Sequence, residues 1–139
     1  SNSLLATDAR VRLAAQLARY FTAILLVAMF VGTHLPSSAV PGFSIGDKLI
    51  HYSAYLALTV SALTSWELSA GVLRPAHFFV VWLAGTLYGA FDEITQTPFG
   101  RSCDGLDWLA DIAGIVSGIV LYQLLRGFFF RWRGSIVSA

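Results

Sequence analysis

Long apolar runs alternate with short polar clusters along the chain. Stretches without a charged residue cover positions 20–46, 49–66, 75–91 and 112–125. A helix needs about 20 mainly apolar residues to cross a bilayer, so the runs predict spans at about 17–35, 49–66, 76–95 and 106–126. The fourth reaches that length only by taking in Asp107 and Asp111. Pro36 and Pro41-Gly42, then Gly71 and Pro75, then Pro98 and Gly100 punctuate the three connections. The expected fold is therefore all-α, a polytopic bundle of four transmembrane helices. No internal repeat or second domain is visible. The expected division is an N-terminal arm over 1–16, a helical domain over 17–126 and a basic, aromatic tail over 127–139. The opening Ser1-Asn2-Ser3 reads as a tag scar.

Polar positions within the runs are periodic. Asp47, His51, Tyr55 and Thr59 recur every four residues, which stacks them on one helix face. Tyr55 then lies about 12 Å along the axis from Asp47. The third run carries Gly85, Gly89, Asp92 and Gln96 on one face; the fourth carries Asp104, Asp107, Asp111, Gly114 and Gly118. Gly85/Gly89 and Gly114/Gly118 are small-residue seams of the kind that lets membrane helices approach closely. They predict a third helix packed on the fourth, with Asp92 and Glu93 near Asp107 and Asp111.

Composition supports the membrane reading. Of 139 residues, 56% are hydrophobic and 12% charged, about half the charge of an ordinary soluble domain. A net charge of +1 without a basic stripe excludes nucleic acid as a partner. The single cysteine, Cys103, makes no intrachain disulfide, and neighbouring Asp104 opposes thiolate formation, so it is a poor nucleophile. Seven of the nine basic residues (Arg10, Arg12, Arg19, Arg74, Arg126, Arg131 and Arg133) lie in or directly beside the N-terminal arm, the second connection and the tail, against Lys48 and Arg101 on the other side. Both termini are therefore expected in the cytoplasm, with the three polar clusters together at the opposite, extracytoplasmic face.

Those clusters hold six of the eight acidic residues. Asp47, Asp92, Glu93, Asp104, Asp107 and Asp111 against Lys48 and Arg101 leave a net charge of −4 with histidine neutral. Ionisable groups at the edge of hydrocarbon are costly and mark a candidate site. Pairing with Lys48, Arg101 and protonated His51, plus one protonated acid, is the expected solution. The alternative is a divalent cation such as Mg²⁺, Mn²⁺ or Ca²⁺ on Asp107 and Asp111.

Roles follow from residue type. His51 suits acid–base work with Asp92 or Glu93 as partner; equally, it suits a structural bond to Asp92 or Tyr55. Arg101 and Lys48 would grip a phosphate or carboxylate, or neutralise the aspartates. Asp47 and Asp104 stand where helix caps are expected. Tyr55, Gln96, Asp107 and Asp111 complete the ligand-binding set. His34 is placed to join this layer, and His77 to sit among headgroups at the other end. Trp66, Trp82, Trp108 and Trp132 read as interfacial aromatics. The segment Arg126-Gly-Phe-Phe-Phe-Arg-Trp-Arg133 reads as an anchor to anionic lipid.

Asp47-Lys48-x-x-His51-x-x-x-Tyr55, Asp92-Glu93-x-x-Gln96, Arg101 and Asp107-x-x-x-Asp111-x-x-Gly114, in that order, resemble the VanZ-like family of bacterial membrane proteins. The resemblance covers about residues 43–125. Two positions depart from the family pattern. Phe99 stands between Pro98 and Gly100, and Asp111 replaces an asparagine. The family is named for a protein linked to low-level teicoplanin resistance. The resemblance therefore implies a multi-pass protein of the bacterial cytoplasmic membrane acting in the cell envelope.

Three functional classes follow. The polar layer would bind an amphiphile, such as a lipid-linked envelope intermediate or a lipoglycopeptide, among membrane lipids. It would catalyse hydrolysis or transfer on such a substrate through His51 with Asp92 or Glu93. Or it would order the bundle as a structural or assembly subunit.

Overall fold

A computed structural model describes the backbone of residues 2–36 and 44–137, and the side chains of residues 9–36 and 46–127. Among the described residues four helices form: α1 (Asn2–Thr33), α2 (Ser44–Ala70), α3 (Pro75–Thr95) and α4 (Gly105–Val137). A 3₁₀ turn over Thr97–Phe99 joins the last two, and no strand occurs among the described residues. The predicted turn at Pro41-Gly42, the ring of Trp132 and the side chains of the anchor segment beyond Gly127 lie outside the described residues.

Among the described residues, two helical segments are long and apolar enough to cross a membrane: Ala9–Thr33 and Gly105–Gly127. The other two helices fall short of that measure because polar groups dilute them, but many of those groups point inward. His51, Tyr55, Thr59, Asp92 and Glu93 are buried, while Leu49, Leu87, Phe91 and Ile94 are exposed. On α1, Phe21, Ile24 and Val27 are exposed as well. A soluble domain has the opposite distribution, with charge outside and large apolar side chains within.

α2 is the central helix. It packs most extensively on α4 and also on α1, while α3 leans on α4 and touches α2 only lightly. The stripe predicted on α2 is the inward face, since His51, Tyr55, Thr59 and then Leu63 are all buried. At the end away from the polar clusters, Leu63, Leu73 and Tyr122 form an apolar core against Trp66, Phe78 and Ile119.

The third helix packs on the fourth as expected, but only its own glycine seam lies in that contact. Gly114 and Gly118 face α2: a methyl group at Gly114 would run into the Tyr52 carbonyl, and one at Gly118 would lie 2.8 Å from Thr59 Cβ. Gly85 and Gly89 face Ile115 and Asp111 on a different side of α4. The two seams therefore do not meet each other. Each lets one neighbour approach α4, and α4 is held between α2 and α3.

Candidate functional site

The polar end of the bundle is assembled by helix starts and stops. α3 closes at Gln96, whose N–H donates to the Asp92 carbonyl at 3.1 Å. The 3₁₀ turn then absorbs Phe99, whose N–H reaches the Gln96 carbonyl at 3.0 Å. Gly100 follows with φ of 77°, a left-handed conformation that favours glycine. Asp104 caps α4 as expected: its carboxylate accepts from the Leu106 N–H at 2.9 Å. Asp47 does not cap α2. It lies inside the first turn, where its charge favours the helix dipole, and its carboxylate is 3.5 Å from Arg101.

Three tiers of polar contact result. At the rim, the Lys48 ammonium donates to Asp104 and to Asp107, each at 2.8 Å. Hydrogen bonding to Asp104 and then Asp107 pushes the Lys48 pKa up, and the Lys48 bond, followed by the Leu106 N–H, holds the Asp104 carboxyl down. In the middle, His51 Nδ1 lies 2.8 Å from Asp111 Oδ1 and 4.0 Å from Glu93 Oε1. Glu93 Oε2 accepts from the Gln96 amide at 2.7 Å and from the Asp104 N–H at 3.0 Å. Nearest α1, the Thr33 hydroxyl donates to Asp92 at 2.8 Å, and His34 Nδ1 is 3.7 Å from the same oxygen.

The three sequence-distant clusters thus converge in one layer, and His34 joins it. Several pairings differ from the expectation. The closest acid to His51 is Asp111, not Asp92 or Glu93, because the Gly114 approach brings α4 onto α2 while Asp92 turns towards α1. Tyr55 lies in the layer but its phenol has no hydrogen-bond partner, so it does not hold His51. Asp107 and Asp111 belong to different tiers: potential metal-binding atoms within 4.8 Å of one another group as Asp47–His51–Asp107 and as His51–Glu93–Asp111. Lys48 already occupies the position a cation would take on Asp107. Cys103 is exposed.

Two cavities adjoin the layer. One, of about 320 Å³, lies between α1 and α2, with Asp47, His51 and Arg101 at its polar end and Met29, Ile50 and Ala54 along its wall. The second, of about 300 Å³, lies deeper and is lined by Leu26, Leu58, Val81 and Ile115. Tyr55 lines both.

A family model described as VanZ/LLP1 matches residues 12–126. The chain belongs to the VanZ/LLP1 family. No curated protein and no solved structure matches it. Family membership together with the two apolar helices makes this VanZ/LLP1 chain a membrane-associated protein.

Some contacts in this VanZ/LLP1 chain had no counterpart in the sequence reading. Thr33 and Thr95 serve Asp92 and His34. Their signal was adjacency to the polar clusters at helix ends. Glu67 forms a second polar knot at the opposite end, bonding Tyr122 and lying 3.0 Å from Arg126. A lone acid closing an apolar run was the available clue. His77 caps α3, its Nδ1 accepting from the Arg74 N–H at 2.9 Å. Trp108 is an interhelical contact, its indole donating to the Thr86 carbonyl at 3.0 Å.

Proposed function

We propose that this chain crosses the membrane four times, with both termini cytoplasmic, and binds the polar head of an envelope amphiphile at its extracytoplasmic face. A lipid-linked glycan intermediate or a lipoglycopeptide has the required chemistry. The observation that carries this reading is the cavity between α1 and α2, charged at one end and apolar along its length. Arg101 is the cation that lines it, 3.5 Å from the single carboxylate of Asp47, whereas Lys48 bonds two carboxylates at 2.8 Å. A guanidinium suits bidentate recognition of phosphate or carboxylate. Apolar lining with a few convergent polar groups is the usual form of a small-ligand site.

Mass spectrometry of lipid co-purifying with the protein tests this reading. A defined amphiphile retained by the wild type and depleted in Arg101→Ala is the expected result. The same lipid profile in both proteins overturns the head-group assignment.

A catalytic reading is favoured by one contact, the His51–Asp111 pair. A carboxylate that fixes one imidazole nitrogen leaves the other to exchange protons with a substrate. Under this reading His51→Ala abolishes turnover of a lipid-linked substrate while amphiphile retention persists. Retention and turnover lost together would leave binding alone.

A further inference from the structure

We propose that His51, Glu93 and Asp111 form a divalent-cation site at the buried junction of α2, α3 and α4, of a kind suited to Zn²⁺ or Mn²⁺. The three residues are 5%, 2% and 0% exposed, and their candidate ligand atoms all lie within 4.8 Å of one another. His51 Nδ1 is 2.8 Å from Asp111 and 4.0 Å from Glu93, and a cation bound there replaces the proton that His51 Nδ1 and Asp111 share without it, releasing it to solvent. Ligands at zinc distances in a tetrahedron stand about 3.3 Å apart, so the observed separations bracket the value a bound cation would impose.

Glu93 Oε1, which faces His51, has no hydrogen-bond partner; Asp111 Oδ2, which lies towards Gly89, has none either. Buried carboxylate oxygens are costly to leave unpaired. Glu93 is also held from behind: Gln96 and the Asp104 N–H both grip Oε2, leaving Oε1 on the side towards His51. Fixing one oxygen of a ligating carboxylate from outside is how proteins orient metal ligands.

Charge points the same way. Lys48 is paired with Asp104 and Asp107, Arg101 with Asp47, and His34 lies beside Asp92. Glu93 and Asp111 are left with His51 between them. Two carboxylates and one imidazole in a dry setting balance a divalent cation without a further counterion. The other group, Asp47–His51–Asp107, lacks this need, since both its acids already meet cations. An imidazole mixed with carboxylates favours Zn²⁺ or Mn²⁺ over Mg²⁺, which prefers oxygen and retains its water. The site does not depend on which amphiphile, if any, fills the neighbouring cavity.

The detergent-purified chain, stripped with chelator, is titrated separately with ZnCl₂, MnCl₂ and MgCl₂ by calorimetry and loaded with Co²⁺ for visible absorption. One equivalent of Zn²⁺ or Mn²⁺ per chain, bound more tightly than Mg²⁺, is expected, with Co²⁺ bands distinct from those of the aqua ion. Glu93→Gln should weaken binding about tenfold or more, and Asp47→Asn should change it less than about twofold. Absence of stoichiometric uptake by the wild type overturns the proposal. So does loss in Asp47→Asn with retention in Glu93→Gln, which assigns the cation to the outer group. Should Glu93→Gln fail to fold, the wild-type Co²⁺ spectrum decides, and an aqua-ion spectrum rejects the site.

Discussion

His51 Nδ1 lies 2.8 Å from Asp111 Oδ1, joining helices α2 and α4 across sixty residues of sequence. Both side chains are buried, so each is the other's replacement for water. Removing one partner of a buried pair costs about 3–5 kcal/mol, because the survivor is stranded. His51→Ala should therefore lower stability by about that amount. Asp111→Asn installs the residue that the family pattern carries, and an amide oxygen can accept the same bond. Its cost should stay at about 1 kcal/mol. Thermal unfolding in detergent compares the two; equal losses would show that the charge, not the bond, matters.

Glycine substitutions should separate the two seams. A methyl group at Gly114 meets backbone of α2 at Tyr52 and Leu56, which cannot step aside. At Gly85 it meets the end of the Ile115 side chain, at 2.8 Å. Overpacking costs about 1–3 kcal/mol, with Gly114→Ala at or above the top of that range and Gly85→Ala at the bottom. Midpoints of unfolding in a graded denaturing detergent would rank them.

The Lys48–Asp104 bridge has a defined pH window. Asp104 is held below its ordinary 3.8, so its contribution is complete above that value and disappears as pH falls through the lowered one. Lys48 is raised above 10.5, so its contribution is complete below 10.5 and disappears as pH rises through the raised value. The stability difference between wild type and Lys48→Met should thus be flat between about pH 5 and pH 9 and shrink in stronger acid. A difference that instead grew on acidification would contradict the pairing.

Cys103 is exposed and is the single cysteine of the chain. It stands in the connection between α3 and α4, beside the polar layer. A membrane-impermeant maleimide added to intact spheroplasts should label it without permeabilisation if that layer faces outward. Labelling only after lysis would invert the orientation.

Tyr122 and Glu67 tie α2 to α4 at the end opposite His51. Tyr122→Phe removes that bond while keeping the ring against Leu63 and Leu73. A loss of about 1–2 kcal/mol is expected, since a charged acceptor is left behind. Retention of amphiphile should not change, which distinguishes this stabilising contact from those around His51.

Much of the architecture was legible because helical periodicity is local. The four-residue spacing from Asp47 to Thr59 marked the inward face of α2, and the stops at Pro36, Gly71 and Gly100 marked where helices end. Alternation of apolar runs likewise put the polar clusters at one end. What spacing could not convey was the rotation of each helix about its own axis relative to its neighbours. That rotation depends on which surfaces approach most closely, and Gly114 gave its groove to α2 rather than to α3. Asp111 therefore met His51, Asp92 turned to Thr33 and His34, and Lys48 closed over Asp107. The residues of the layer were determined by the chain's own order. Their pairing came from tertiary packing, because side chains a few ångströms apart choose partners by geometry that no sequence interval encodes.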